Sequence, residues 1–151
     1  MVTRREMMKT MAAGSAAFAA MFASGLAMAE AGGKVAASMP GGGKGVKVTE
    51  LMRKDIPDMK GKQVSVVTVT YAPGASSSPH RHPGSVFAYV LEGAVVSQVE
   101  PGKPTTYTQG QMWYELPMHL HRISRNASTT EQARILAFLI MNKGQKLVLP
   151  A

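Results

Sequence analysis

From Gln63 onward, short runs of β-branched and aromatic residues alternate with Gly, Pro and charged breaks. Residues 64–71 (VSVVTVTY) are almost wholly β-branched, a composition suited to a pleated, half-buried surface. Pro73 and Gly74 end that run, Pro83 and Gly84 interrupt the next stretch, and residues 86–91 form a second strong apolar run. Glu92 and Gly93 turn the chain into residues 94–99, and Pro101 to Pro104 reverse it again. Runs at 105–107, 112–115, 121–124 and 134–141 complete the series. Short strands at this spacing predict an all-β fold, an antiparallel sandwich or small barrel. No helix of any length is expected in it.

Upstream the pattern thins. Residues 46–51 predict a first edge strand, and residues 53–61, with Ile56-Pro57 and a turn at Lys60-Gly61, read as a connection. Residues 30–45 carry Gly32, Gly33 and Gly41 to Gly43 with little apolar content, so they are expected to be a flexible leader, order beginning near Val46. Residues 1–29 are different again: a basic start, a moderately apolar stretch from Met11 to Met28, and small residues at Ala27 and Ala29. That is the layout of a secretory signal with Glu30 as the mature start. The order Thr3-Arg4-Arg5-Glu6-Met7-Met8-Lys9 resembles the twin-arginine export signal of bacteria, with Met7 where Phe is usual. The resemblance implies export of a folded protein to the periplasm. The Ala, Gly and Ser content of Met11 to Met28 argues against a retained membrane anchor.

Setting that segment aside changes the composition. It holds six of the twelve methionines, three basic residues and one acidic one, leaving a net charge of +6 out of the +8 of the whole chain. The remaining basic residues are scattered from Lys34 to Lys146 without a run or an interleaved aromatic row, so a nucleic-acid partner is not expected. With 45% hydrophobic and 17% charged residues, 151 residues suit one domain, residues 46–151. The absence of cysteine excludes disulfides, thiolate metal ligands and a cysteine nucleophile.

The candidate chemistry lies in four histidines gathered in two clusters, His80-x-His82 and His119-x-His121. In a strand, side chains at i and i+2 share a face about 6.5–7 Å apart, so two imidazoles can converge on one ion. Gly74, five residues, His80-x-His82 and then Gly93 resemble the first motif of the cupin superfamily, G-x5-H-x-H-x3/4-E-x6-G. The second motif, G-x5-P-x-G-x2-H-x3-N, is matched more loosely from Gly110, with His121 at the ligand position. Leu116 and Met118 replace its usual Pro and Gly, and Asn126 comes one residue late. Val86 stands where the first motif has its glutamate.

The resemblance covers roughly residues 64–141 and implies an antiparallel jelly-roll barrel, a metal-binding site and, in similar proteins, a homodimer through the outer sheets. In its register Val86, Ala88 and Val90 line the pocket, while Phe87, Tyr89 and Leu91 pack on the other face. The implied ligands are His80, His82 and His121 around a divalent ion, with His119 as a further candidate, fourth ligand or supporting partner. Neutral imidazole suits iron, manganese, nickel, copper and zinc, and three such ligands leave positions open for a small molecule. Val86 leaves two readings: a three-histidine centre similar to cupin dioxygenases that work without a carboxylate ligand, or a barrel that has lost its metal and only binds or senses a small molecule. Glu115 is a candidate carboxylate for ligation or catalysis, although a Glu at a strand end is ordinarily solvated. Trp113 and Tyr114 are candidates for core or pocket wall. Arg122 and Arg125 could meet an anionic substrate or simply face water.

Overall fold

The computed structural model describes residues 42–151, so the export-signal reading of residues 1–29 and most of the leader lie outside the described residues. Ten strands follow in chain order: β1 (Val46–Asp55), β2 (Lys62–Tyr71), β3 (His80–Arg81), β4 (Ser85–Glu92), β5 (Ala94–Val99), β6 (Thr105–Thr108), β7 (Met112–Glu115), β8 (Leu120–Asn126), β9 (Ala133–Asn142) and β10 (Leu149–Pro150). They form two five-stranded sheets, ordered β1-β2-β9-β4-β7 and β10-β3-β8-β5-β6, with every pairing antiparallel. No helix occurs among the described residues.

The alternation read from the sequence sets the faces. In β4, Val86, Ala88 and Val90 are buried while Phe87 and Tyr89 are exposed. In β9, Ala133, Ile135, Ala137, Leu139 and Met141 all point inward. β2 runs beside β9 for ten residues, from Lys62 opposite Asn142 to Tyr71 opposite Ala133. The inward rows build two apolar clusters, one around Tyr71, Val90, Val95, Trp113 and Ile135, the other around Val67, Val86, Leu139, Met141 and Leu147.

Several local expectations are corrected. β1 continues to Asp55, taking in residues expected to be a connection, because it stays paired with β2 down to Asp55 opposite Gln63 past a bulge after Glu50. Gly42 to Gly45, placed by composition in the leader, join the fold: Gly43 O accepts from Val46 N at 3.1 Å and Gly45 O from Ala72 N at 2.9 Å. The outer face of β4 is not packed. Phe87 lies opposite Phe138 and Tyr114, its ring 5.0 Å from that of Tyr114, and all three are exposed at its surface.

Candidate metal centre

β3 is only two residues long, yet it sets the site by pairing with β8 so that His80 stands directly opposite His121. Such cross-strand neighbours approach to about 4.5–5.5 Å at Cβ, and the two ring centroids are 5.0 Å apart. His82, two residues after His80, meets that ring edge-on at 4.9 Å and that of His121 at 6.5 Å. One nitrogen from each of the three rings lies within 4.8 Å of the others.

Each ring is held from behind. His80 Nδ1 donates to Ser78 O at 2.7 Å and His82 Nδ1 donates to Leu147 O at 2.7 Å. A carbonyl only accepts, so both Nδ1 atoms carry the proton and both Nε2 atoms present lone pairs, the arrangement that orients metal-binding histidines elsewhere. His121 Nε2 bonds to Ser97 Oγ at 2.9 Å, while its buried Nδ1 makes no well-aligned hydrogen bond and has Glu115 Oε2 beside it at 3.2 Å. Two preset imidazole lone pairs beside a third buried imidazole are costly unless a cation joins them. The three side chains therefore fit a divalent ion of the imidazole-binding series.

Electrostatics agree. Burial, and after it the neighbouring His82, push the His80 imidazole down to about 4. Burial also lowers His82, against the opposing pull of Glu115. Neutral rings at neutral pH keep their lone pairs available for an ion.

Glu115 is the residue whose environment differs most from expectation. It is buried, 4% exposed, rather than solvated, because β7 alternates Met112 out, Trp113 in, Tyr114 out and Glu115 in. Its Oε1 accepts from Trp113 Nε1 at 2.9 Å, and its Oε2 lies 3.2 Å from His121 Nδ1 and 3.6 Å from His82 Nε2. Burial by itself would raise its pKa; the two histidines and the Trp113 N–H outweigh that and bring it to about 2.

The other candidates separate clearly. His119 is not in the cluster: it precedes β8, in a turn where Met118 has φ 63°, and its Nδ1 lies 2.8 Å from Glu100 O. Val86 and Ala88 line the cavity beside the histidines, but Val90 does not; it is fully buried in the apolar cluster with Tyr71, Trp113 and Ile135. Trp113 is core, and Tyr114 is exposed, its hydroxyl 2.9 Å from Ser85 Oγ. Arg122 pairs with Glu100 at the surface and Arg125 is exposed, so neither lines the cavity.

The cavity, open at its mouth, is walled by Val48, Val67, Val69, Ile135, Ala137 and Leu139 among other aliphatics. Residues that sequence reasoning missed supply its second polar point. Tyr71 Oη and Ser124 Oγ lie 2.7 Å apart, with Ser77 close by on the same wall. Burial raises the Tyr71 pKa, so its hydroxyl keeps its proton. Ser124 faces inward because the β5–β8 register passes from Gln98 opposite Ile123 to Val99 opposite His121, leaving Arg122 as an extra residue that resets the parity. Nothing local in the sequence marks that bulge.

Two antiparallel sheets enclosing a histidine cluster in an apolar cavity define the cupin fold. A family model described as a cupin domain matches residues 67–139. Among solved structures it resembles a cupin-like protein from Thermotoga maritima at 21% identity and TM-score 0.56, over 70% of this chain and 75% of that one. It also resembles the polyketide cyclase RemF from Streptomyces resistomycificus (19%, TM-score 0.52, 72% and 78%) and the DMSP lyase DddQ from Ruegeria pomeroyi (16%, TM-score 0.51, 58% and 43%). At these identities the likeness is one of fold. No curated protein sequence matches the chain.

Proposed function

We propose that this chain is an exported, periplasmic cupin that holds a divalent transition metal through His80, His82 and His121 and converts a small, largely apolar organic molecule, with oxidation by dioxygen at an iron centre as the leading reaction. The observation that carries the reading is the convergence of one nitrogen from each of His80, His82 and His121 to within 4.8 Å, with the His80 and His82 rings preset by backbone carbonyls. Such an ion supplies Lewis-acid polarisation of a substrate oxygen and, as iron, a path for electrons to dioxygen. The protein's own part is to position and to exclude water. Val86, Ala88, Ala137 and Leu139 give an apolar wall, and the protonated Tyr71 hydroxyl, with Ser124, offers hydrogen bonds to a polar group of the substrate. The DMSP lyase and the polyketide cyclase among its structural neighbours support chemistry on small molecules without choosing the reaction. The twin-arginine-like start supports export.

Metal content tests the reading. Protein recovered from the periplasm is expected to carry close to one transition-metal ion per chain by elemental analysis, and the His80→Ala/His82→Ala double variant less than a tenth of that. An Arg4→Lys/Arg5→Lys variant is expected to stay in the cytoplasm. Folded wild type that takes up none of the five metals would end the metal reading and leave a binding barrel; normal export of the lysine variant would end the twin-arginine one.

A further inference from the structure

The metal-centre reading above rests on three neutral ligands, which would leave both charges of a divalent ion uncompensated in an apolar cavity. We propose that Glu115 is a fourth, carboxylate ligand of the same ion, delivered from the strand next to β4; this inference rests on the three-histidine reading and extends it.

The argument begins with what surrounds the carboxylate. A buried carboxylate is expensive unless every oxygen has a partner. Trp113 Nε1–H satisfies Oε1, and Oε2 is left facing the imidazoles alone. The atoms that Oε2 faces are His121 Nδ1 at 3.2 Å and His82 Nε2 at 3.6 Å. His82 has committed its proton to Leu147 O, so its Nε2 offers a lone pair, not a proton. A carboxylate lone pair and an imidazole lone pair at that distance repel unless a cation lies between them.

The distances themselves are those of neighbouring ligands. With N and O donors about 2.1 Å from an ion, adjacent ligand atoms stand about 3.0 Å apart in an octahedron and about 3.4 Å apart in a tetrahedron. The two observed separations, 3.2 and 3.6 Å, come within about 0.2 Å of that range; Glu115 stands outside the group of atoms within 4.8 Å of one another, so its carboxylate would close on the ion by a small side-chain shift. Rigidity points the same way. Glu115 is opposite Val86 in the β4–β7 register, and the indole of Trp113, two residues back on the same face, fixes which oxygen turns toward the histidines. The resulting set, three nitrogens and one carboxylate oxygen, lowers the net charge of the occupied centre from +2 to +1. It also shifts preference toward ions that accept oxygen donors, iron, manganese and zinc, over copper.

Cobalt(II) serves as the probe, since its visible absorption responds to the number and kind of ligands. Wild type, Glu115→Gln and Glu115→Asp are titrated with Co(II), following affinity and spectrum together, with circular dichroism as the check on folding. Glu115→Gln keeps the size and removes the charge; it is expected to weaken Co(II) binding about 100-fold and to shift and rescale the visible bands. Glu115→Asp keeps the charge and shortens the reach, and is expected to retain more affinity than Glu115→Gln with bands unlike wild type. Should the Gln variant fail to fold, the Asp variant alone decides: bands identical to wild type overturn the proposal. Wild-type binding with a Gln variant unchanged in affinity and spectrum overturns the fourth ligand and leaves the three-histidine centre standing. Weakened binding with unchanged bands also overturns it, making Glu115 a group that orients His121. A wild type that binds no Co(II) overturns both readings at once.

Discussion

Lowering the pH of the metal-free protein from 7 to 4 is expected to reduce its unfolding free energy by on the order of 3 kcal/mol, through His80 alone. The His80 imidazole is held down to about 4 in the fold, first by burial and then by His82, against 6.5 when unfolded. Between those values the unfolded chain takes up a proton that the folded chain refuses. The stability is therefore whole above pH 6.5 and is lost as the pH falls, the loss being complete near 4. His82, also lowered by burial, adds to the same slope. Glu115 continues it further down. Its carboxyl sits near 2 in the fold against 4.5 in the unfolded chain, so its contribution is present above 4.5 and disappears between 4.5 and 2. Urea midpoints at pH 7, 5.5 and 4 measure the first part, and a His80→Asn variant should flatten it. A wild-type profile that is level from 6.5 to 4 would contradict the buried, neutral state described for this ring.

Gly84→Ala is expected to cost about 2–4 kcal/mol and to weaken metal binding at the same time. A Cβ at Gly84 would lie 2.1 Å from Ile140 O, 2.8 Å from Ile140 C and 2.7 Å from Met141 Cβ. Two of these three are backbone atoms of β9, which is paired on one side to β2 and on the other to β4, so β9 cannot yield. The segment carrying Gly84 must move instead, and His82 is two residues away. The expected result is a fall in melting temperature together with a loss of metal affinity, although residue 84 touches no ion. A variant as stable as wild type would show that β9 yields after all.

Gly84 also marks how far the sequence could be read. Next to Pro83 it reads as turn punctuation, whereas its backbone has no positive φ and its role is to let two strands touch. The long strands were legible because a period of two needs only a handful of residues to declare itself: the inward row of β4 and the runs of β5 and β7 follow from it. β3 and β10, two residues each, have no period to display. The histidine cluster was visible as chemistry, yet the separation of His119 from His121 depends on where β8 begins and on a carbonyl at Glu100. Glu115 reads as solvated from its place at a strand end, yet the same alternation that buries Trp113 buries it two residues later. What no local pattern could supply was register, the pairing that puts Glu115 beside Val86 and Ser124 on the cavity side. Register is decided by partners many residues away.

The carbonyl that presets His82 belongs to Leu147, 65 residues further along the chain, and β10 at Leu149–Pro150 closes over His80 and Arg81. All three imidazoles have been synthesised once the ribosome passes residue 121, but at that point His82 has no acceptor for its Nδ1 proton and β3 has only one neighbour. Pairings this distant form late, after the loops between them have closed. The preset histidine cluster is thus a property of the finished fold, and capture of the proposed ion would be a clock that starts only when folding is over. A carrier that accepts folded chains alone would receive this one with its histidines already aimed.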